Sequence, residues 1–399
     1  MKLLIVTQYF YPENFKCNDM AFELNRRGHD VTVMTAIPNY PVGKFYDGYG
    51  VFKKRKEIVH GVKVYRSLLI PRGKGGGLRL ALNYLSYTLF ASIKAFWMGF
   101  TKKYDAIIVH EPSPILVGVP AVIVKKIKKI PLHFWVLDLW PESLTAAGGI
   151  TNKSVLRLFD KITQWIYKNS NTLLIGSKGY RQSIIQKGDF GNKIKYYPNW
   201  VEERLLENDI SSIPDFPKGF NIVVAGNMGD AQDLPHILDA MLILKGNPIN
   251  IIFIGDGRKK DYVENFAFEH SMQDQIICLG RHPLEMMPSF FSKADVLFMA
   301  LKDEPIFALT VPSRIQAYMS AGKPIVAMIN GEGADLINEA QCGWTVHAED
   351  SKALAILLKN LSCLDNSVLV EKGMNGKQYS EKNFNFSTCI DNLEHCLGL

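Results

Sequence analysis

The stretch VPSRIQAYMSAGKPIVAM (Val311–Met328) joins a helix to a buried strand, and it decides the fold. Pro312 and Ser313 favour a helix start, and Ala321 with Gly322 marks the helix end. The apolar run that follows is typical of a buried strand. Helices that lead into buried strands build parallel α/β sheets, in which ligands bind beyond the strand ends. The free N–H groups of the first helical turn therefore predict an anion-binding site.

The same alternation occurs throughout both halves of the chain. Short apolar runs are separated by helical segments: KLLIVTQYF, VTVMTA, YDAIIVH, LHFWVLD and NTLLIGS in the first half, and FNIVVAG, NIIFIGDG, IICLG, DVLFMA and KPIVAMI in the second. Between the two sets lies PNWVEERLLENDISSIPDFPKG, whose Pro, Asp, Glu and Ser content is typical of a linker. The sequence therefore predicts two doubly wound, Rossmann-like α/β domains facing across a cleft, with residues 1–200 in the first and 201–380 in the second.

The charge is divided unevenly between the two halves. Residues 1–200 contain 30 Lys and Arg against 12 Asp and Glu, whereas residues 201–399 contain 16 against 27. A basic first half suits an anionic surface, either nucleic acid or the cytoplasmic leaflet of a membrane. Because the sequence contains no helix-turn-helix, RNA-recognition or zinc pattern, we predict an anionic membrane surface as partner and no nucleic acid.

The segment LRLALNYLSYTLFASIKAFWMGF (Leu78–Phe100) is apolar over roughly the length needed to span a membrane. Arg79, Asn83, Ser86 and Lys94 fall on one helical stripe, an amphipathic pattern that favours lying in the membrane interface over crossing it. A helix packed on its own sheet is the equal alternative. Three basic runs in the same half support docking on anionic lipid: KKRK (53–56), RGKGGG (72–77) and KKIKK (125–129).

Two turns at strand ends have the features of phosphate sites. In GNMGDAQDLPHIL, which follows the strand FNIVVA, Gly226 and Gly229 let the backbone approach a ligand closely, and a helix follows. In the opening stretch, Ser313 either caps the helix or contacts the ligand, and Arg314 can neutralise phosphate charge. Two helix N-termini at one cleft predict a diphosphate rather than a single phosphate.

The order GNMG…GDG…LGRHP…PSRIQAYMSAGKPIVA resembles the nucleotide-sugar domain of family 4 glycosyltransferases with the GT-B fold. The segments PNYPVGKFYDGY and DLWPES resemble the subgroup that transfers N-acetyl-6-deoxyhexosamines, such as fucosamine, to lipid-linked acceptors in bacterial surface polysaccharide assembly. The resemblance implies a retaining transfer from a UDP-sugar to a polyprenyl-diphosphate-linked saccharide, in capsule or lipopolysaccharide O-antigen synthesis. It also implies a peripheral enzyme on the cytoplasmic face of the inner membrane, with the last helix, 381–399, packing back on the first domain.

The chain departs from that family at the two carboxylates that contact the donor sugar and the ribose. The matching positions across the opening stretch are Leu309 and Ala317. The neighbouring Gln316 either hydrogen-bonds a ribose hydroxyl in their place or is an outward helix residue.

The family's Arg and Lys after the second-domain glycine are also replaced, by Asn227 and Gln232. Both are neutral, so they are expected to hydrogen-bond phosphate oxygens. Arg281 and Arg314 are then the candidates that balance the diphosphate charge, together with backbone N–H groups.

The catalytic candidates follow two buried strands of the first half, in HEPSP and VLDLWPES. Asp138 matches a position where the family often has a His, and a carboxylate there can orient the acceptor hydroxyl or take its proton. The alternative for Asp138 is a turn cap. Glu111 and Glu142 are secondary candidates, each also suited to capping a loop, and His110 is either an acceptor-side residue or a core histidine.

The remaining site predictions concern the sugar and the metal. Asn18 and Asp19, together with the region of Leu309, are expected to influence which sugar is used. No Asp-x-Asp sequence occurs in the chain, which argues against a metal-bridged diphosphate. We therefore predict no metal and no cofactor besides the UDP-sugar substrate.

Two other functions stay open from the sequence. A nucleotide-sugar epimerase shares this architecture, but it needs acid/base carboxylates around the sugar and no basic apolar face. A non-catalytic nucleotide-sugar-binding scaffold is favoured by the replaced Glu pair and the replaced Arg/Lys pair. Turnover on a lipid-linked acceptor distinguishes the transferase from both.

Overall fold

The computed structural model describes residues 1–74, 76–146, 149–206 and 213–398, which form two compact units. Unit 1 comprises Met1–Tyr197 and Ile390–Leu399, and unit 2 comprises Pro198–Cys389. The basic run RGKGGG includes residue 75, and the expected linker includes residues 207–212. Those parts of the two predictions lie outside the described residues.

Unit 1 is built on an eight-stranded sheet in the order β3-β4-β2-β1-β5-β6-β7-β8. All neighbouring strands are parallel except the antiparallel β3–β4 pair. Its central strands are buried along their whole length, as expected where helices cover both faces. The strands are β1 (Lys2–Val6), β2 (Asp30–Ala36), β3 (Lys56–Val59), β4 (Val62–Ser67), β5 (Ala106–Glu111), β6 (Leu132–Val136), β7 (Thr172–Ile175) and β8 (Ile194–Tyr196).

The helices of unit 1 connect these strands and cover the sheet. The packing of α3 on α2 is close, because a Cβ at Gly99 of α2 would come within 2.7 Å of the Ile127 side chain of α3. The helices are α1 (Lys16–Arg26), α2 (Gly77–Thr101), α3 (Gly118–Lys128), α4 (Glu142–Ala146), α5 (Lys153–Asn169) and α6 (Tyr180–Gln186).

Unit 2 contains a six-stranded parallel sheet in the order β11-β10-β9-β12-β13-β14. The opening stretch forms α11 and β13, as the sequence predicts. The strands are β9 (Phe220–Ala225), β10 (Ile249–Ile254), β11 (Ile276–Gly280), β12 (Val296–Ala300), β13 (Ile325–Met328) and β14 (Gly343–Val346). The helices are α7 (Leu234–Ile243), α8 (Lys260–Glu269), α9 (Met287–Ser292), α10 (Pro305–Ala308), α11 (Ser313–Ser320), α12 (Glu332–Glu339), α13 (Ser351–Leu361), α14 (Asn366–Asn383) and α15 (Phe386–Leu397).

The end of the C-terminal helix α15 belongs to unit 1. Asp391 and Glu394 both accept from Arg27 Nη1, at 2.5 and 2.6 Å, and Glu394 also pairs with His29 at 2.8 Å. Arg27 additionally pairs with Glu23 of α1. This ion-pair network joins the end of the chain to the α1–β2 turn of unit 1.

Most of the polar stripe of α2 points into unit 1, as expected for the alternative in which this helix packs on its own sheet. Asn83 is buried and donates to Ile70 O at 2.7 Å, Ser86 Oγ accepts from Ile70 N at 2.9 Å, and Lys94 Nζ donates to Arg66 O at 2.5 Å. Ile70 lies beyond β4 and Arg66 within it, and buried backbone groups need hydrogen-bonding partners. Asn83, Ser86 and Lys94 therefore serve as internal hydrogen-bonding groups, whereas Arg79 is exposed.

The outward side of α2 is consequently apolar. Trp97 is 51% exposed and Leu78 is 78% exposed, and the other members of this face have values between these two. We call this surface the apolar face of α2; it consists of Leu78, Leu85, Leu89, Ile93, Phe96, Trp97 and Phe100. Contiguous exposed apolar surface of this kind marks an interaction site.

Length and hydropathy decide whether a helix can cross a membrane. Among the described residues, no single helix is long and apolar enough to cross a membrane. One bent pair, Ser351–Leu361 with Asn366–Leu397 at 114°, passes that test by length and composition alone.

Candidate functional site

The turn after β9, residues 226–229, is packed tightly between two other loops of unit 2. Gly226 has φ +118°, and a Cβ at this position would lie 2.8 Å from Arg314 Nη2. On the other side, a Cβ at Gly255 would come within 1.9 Å of the Gly226 carbonyl oxygen. Glycine is favoured at Gly226 by its positive φ, and it is required at Gly255 because a Cβ there would collide with the backbone of the turn.

Helix α11 is held against this turn by a buried tyrosine. Tyr318 Oη accepts from Ala225 N at 2.9 Å, and it contacts Phe298 O at 3.3 Å. Arg314 Nη2, one turn earlier, donates to Asn227 O at 3.0 Å. The fold thus brings together Gly226, Asn227, Arg314 and the N-terminus of α11, which are four of the predicted donor-site features.

Gln232 and Gly229 are hydrogen-bonded to each other. Gln232 Oε1 accepts from Gly229 N at 2.9 Å, which closes the turn and engages the Gly229 N–H, whereas the Gln232 Nε2 donor that the prediction directs at a phosphate is not part of this bond. The expected helix does not begin at the turn. A short 3₁₀ turn, Asp230–Gln232, comes first, and α7 begins only at Leu234.

Two predictions on α11 also need correction. The N-cap residue is Pro312, which has no side-chain acceptor, so Ser313 is the first helical residue and does not cap the helix. Its side chain is exposed, which leaves the ligand-contact alternative. Gln316 is 2% exposed and is therefore not an outward residue, and its Oε1 has no hydrogen-bond partner among the described residues. A ribose could reach Gln316 only if the surrounding side chains moved.

Positive charge near the turn comes partly from residues that the sequence analysis did not select. Arg258 Nη2 lies 2.9 Å from Asp230 Oδ2, and Lys259 Nζ lies 3.6 Å from its other carboxylate oxygen. Both residues directly follow the GDG loop, and this position in the sequence could have identified them as candidates for the donor site. The predicted Arg281 is exposed just after Gly280, whose carbonyl accepts from Gly255 N at 2.8 Å.

In unit 1 the three catalytic candidates lie at the ends of adjacent strands β5 and β6. Asp138 is half-buried, and burial raises the pKa of its carboxyl above the usual value, against the lowering effect of the hydrogen bond from Ser143 Oγ. Glu111 is fully buried, and burial followed by the nearby Asp138 charge raises its pKa well above the usual value. The pair therefore consists of the buried Glu111 carboxyl, which favours its neutral form, and the more accessible Asp138 carboxyl.

Glu142, the third candidate, is occupied by structural partners. Its Oε1 accepts from Ser183 Oγ at 2.8 Å and from Lys187 Nζ at 2.7 Å. These contacts tie the start of α4 to α6. The environment of Glu142 is therefore that of a loop anchor.

An aromatic cluster beside Asp138 was missed by the sequence analysis. Tyr84 of α2 contacts the side chains of Tyr9 and Ser113 and adjoins the Asp138 charge. Tyr9 stacks on Phe15 with ring centres 4.9 Å apart. The pair Asn83–Tyr84, which interrupts an otherwise apolar helix, was the feature of the sequence that could have predicted this cluster.

The loops after β1 and β2 form one wall of this region. Glu13 is buried and accepts from the backbone N–H groups of Asn39 and Tyr40, both at 2.7 Å, and burial raises the pKa of its carboxyl to about 7. The guanidinium of Arg72 lies 4.8 Å from the centre of the Tyr40 ring. A flat ring beside a cation is a surface that suits a sugar joined to a phosphate.

The three predicted acceptor-side residues have different environments. His110 is 1% exposed, and its Nδ1 is hydrogen-bonded to Thr7 Oγ1 at 3.1 Å. Burial lowers the pKa of its imidazole to about 3. It is a neutral core histidine and not an acceptor contact. Asn18 is buried and closes the loop through Tyr11 N and Glu13 O, whereas Asp19 is exposed in the first turn of α1.

Within residues 1–74, 76–146, 149–206 and 213–398, no three His, Cys, Asp or Glu side chains are grouped so that they could hold a metal ion.

Family models match each half of the chain separately. The family described as "Glycosyl transferase 4-like domain" matches residues 16–200, and the family described as "Glycosyl transferases group 1" matches residues 219–363. Together the two matches include the carboxylate pair of unit 1 and the glycine turn and α11 of unit 2.

Two curated relatives are also similar over much of the chain. The probable glycosyltransferase WbjE of Pseudomonas aeruginosa is 29% identical over 265 residues, which cover 62% of this chain and 65% of that protein. The chain thus aligns with just under two thirds of the length of that relative. The amylovoran biosynthesis glycosyltransferase AmsK of Erwinia amylovora is 20% identical over 387 residues, 91% of each chain.

Solved structures share the fold over the full length. Anabaena Alr3699/HepE, solved in complex with UDP, aligns over 100% of both chains with a TM-score of 0.71 and 15% identity. Sucrose-phosphate synthase from Thermosynechococcus elongatus covers 99% of this chain and 98% of its own, with a TM-score of 0.74 and 12% identity. The predicted fold class, two Rossmann-like domains of the GT-B type, is confirmed.

Proposed function

We propose that the chain transfers a sugar from a UDP-sugar to a lipid-linked saccharide, since its fold is of the GT-B type and glycosyl transferase models match residues 16–200 and 219–363. The observation that carries the donor half is the position of Arg314. Its guanidinium lies on Gly226 and donates to Asn227 O, beside the N-terminus of α11. A cation, a helix N-terminus and an exposed glycine backbone together suit a diphosphate.

The donor in this proposal is a UDP-linked N-acetylated amino sugar of the 6-deoxyhexosamine type. The resemblance of PNYPVGK and DLWPES to fucosamine-type transferases supports the sugar, and the UDP complex of Alr3699/HepE supports the nucleotide. Arg281 and Arg314 balance the diphosphate charge, and no metal takes part. Exposed Asn227 remains available for a phosphate oxygen.

The chemistry in this proposal is a retaining transfer in which the departing UDP phosphate accepts the proton of the acceptor hydroxyl. Catalysis then depends on positioning and on stabilising the charge of the leaving group. Asp138 orients the acceptor hydroxyl, or takes its proton and passes it to the departing phosphate. The accessibility and raised pKa of this carboxyl support either role.

The acceptor half is assigned to unit 1, docked on the cytoplasmic face of the inner membrane. The acceptor is a polyprenyl-diphosphate-linked saccharide of capsule or O-antigen synthesis. The apolar face of α2 supports docking, and Arg55, in the basic run 53–56, donates to the same Arg66 carbonyl as Lys94 of α2. The run KKIKK contributes less than expected, since Lys125 donates to Asn169 O and Lys126 lies over the Trp165 ring.

Nucleotide binding tests the donor assignment. Titration calorimetry of the full chain with UDP, GDP and ADP is expected to give binding of UDP alone, with a Kd on the order of micromolar. Addition of EDTA is expected to leave that Kd unchanged. Loss of UDP binding in EDTA would contradict the metal-free site, and equal binding of GDP would contradict the nucleotide assignment.

Vesicle binding tests the role of the apolar face of α2. Replacing Leu89 by alanine removes buried methylene groups from the membrane contact and is expected to weaken vesicle binding about tenfold. Co-sedimentation with phospholipid vesicles measures the change. Leu158→Ala is the matched control, because Leu158 is 57% exposed on α5 and Leu89 is 59% exposed on α2. Equal effects of the two variants would exclude α2 as the docking element.

A further inference from the structure

A basic cleft lies at the amino ends of β1 and β2, on the edge of the unit 1 sheet opposite Asp138. Its volume is about 620 Å³. Five lysines and Tyr65 line it, and the apolar Ile58, which is 72% exposed, stands at its border. We call this feature the lysine cleft; its lysines are Lys2, Lys56, Lys63, Lys102 and Lys103.

Most of the positive charge in the lysine cleft is not neutralised. Lys63 pairs with Asp30 at 2.6 Å. The other acidic group, Glu57, pairs with buried Arg66 at 2.5 Å. Among the described residues the remaining four lysines have no ion pair. The residues that line the cleft therefore present several ammonium groups without an ion pair, and the neighbouring Asp105 carboxylate accepts from Lys2 N at 2.7 Å.

Tyr65 holds two of these ammonium groups on one ring. Lys56 Nζ lies 5.6 Å and Lys102 Nζ lies 5.9 Å from the ring centre. Lysines of different segments, β3 and the chain after α2, are thereby brought together over a largely buried ring. Such a pair of cations can contact one phosphate from two sides.

The lysine cleft continues directly into the apolar face of α2. Lys102 Nζ also lies 5.7 Å from the Trp97 ring centre, and Trp97 is half-exposed on that face. Phe100, one turn further, is 64% exposed. Phosphate-binding charge and apolar surface are thus contiguous, which matches the two chemical parts of a phospholipid.

We propose that the lysine cleft binds the phosphate of an anionic phospholipid headgroup while the apolar face of α2 lies in the acyl boundary. This rests on the proposed membrane docking of unit 1. The cleft is at the C-terminal end of α2, and Tyr84, which adjoins Asp138, is near its N-terminal end. Headgroup binding at one end of the helix fixes the orientation of unit 1 on the membrane.

The test compares the full-length wild type with Lys56→Gln/Lys102→Gln. The control is Lys153→Gln/Lys161→Gln, which removes two exposed lysines of α5 and changes the net charge equally. Co-sedimentation is measured with phosphatidylcholine vesicles and with vesicles of phosphatidylcholine and phosphatidylglycerol. At about fivefold per lysine, the cleft variant is expected to bind the anionic vesicles ~25-fold more weakly, and the control less than about threefold. Binding to neutral vesicles is expected to stay unchanged.

The possible results separate the two levels of the proposal. A wild type that binds neither vesicle overturns membrane docking, and with it the headgroup site. Equal wild-type binding to both vesicles, or equal losses in the cleft variant and the control, overturns the headgroup site alone. Calorimetric binding of inorganic phosphate as tight as that of the vesicles, lost in Lys56→Gln/Lys102→Gln, would show a free-phosphate site and also overturn it.

Discussion

Replacing Arg314 by alanine is expected to raise the Kd of UDP ~100-fold, since a charged hydrogen-bonding group that faces a diphosphate contributes about 2–3 kcal/mol. The guanidinium is already fixed by its contact with Gly226 and by its bond to Asn227 O at 3.0 Å. Little conformational freedom is lost when the ligand binds, so most of the interaction energy should be observed. Titration calorimetry of the full chain with UDP measures the effect.

Two further variants separate the charge of Arg314 from its packing. Arg314→Lys keeps the charge but loses the planar fork, so an intermediate Kd is expected. Arg258→Ala removes a neighbouring arginine that is 85% exposed and paired with Asp230, and it is expected to change the Kd less than about threefold. A UDP affinity in Arg314→Ala equal to that of the wild type, with an unchanged melting temperature, would show that Arg314 serves only the packing of the turn.

The central strands could be predicted because parallel strands that are buried on both faces must be apolar along their whole length. The run in β12 meets that condition throughout, and β1, β5 and β9 meet it except at Lys2, at His110 with Glu111, and at Asn221. The edge strands could not be predicted in the same way. In β3, for example, the sequence KEIV alternates exposed and buried positions, and its pairing with β4 is antiparallel.

The direction of the α2 polar stripe is a feature that the sequence left open. The stripe was recognised from the sequence, but the side to which it points depends on the backbone carbonyl of Arg66 in β4 and on the backbone groups of Ile70 beyond that strand. Periodicity locates a polar stripe on a helix, but it does not show whether water or protein backbone forms the hydrogen bonds of its side chains. Only the tertiary contacts of Asn83 and Ser86 decide this.

The sequence predicted those site residues whose location follows from their position after a strand. It did not predict roles that depend on side-chain geometry. Asp138 and Glu111 were brought together because β5 and β6 are parallel neighbours, so their carboxyl ends coincide. The bond from Gly229 N to Gln232 and the burial of Gln316 depend on local turn geometry and on packing. No spacing rule contains that information.

Replacing Asp138 by asparagine is expected to lower kcat ~10³-fold while the Kd of UDP stays unchanged. Asparagine keeps the size of the side chain but cannot accept a proton, and it presents an amide to the acceptor hydroxyl. The assay is sugar transfer from a UDP-sugar to a polyprenyl-diphosphate saccharide. A kcat within about tenfold of the wild type would mean that Asp138 is a turn-forming residue.

The pH profile identifies the group that is lost in this variant. Asp138 acts in its charged form, and burial raises the pKa of its carboxyl, so wild-type activity should fall as the pH decreases through a value above the usual range for aspartate. That acidic limb should be absent in Asp138→Asn. Ser143→Ala removes a hydrogen bond that lowers this pKa, so the limb should move to higher pH with nearly full activity on the alkaline side. A limb that persists in Asp138→Asn would assign the titration to a group other than Asp138.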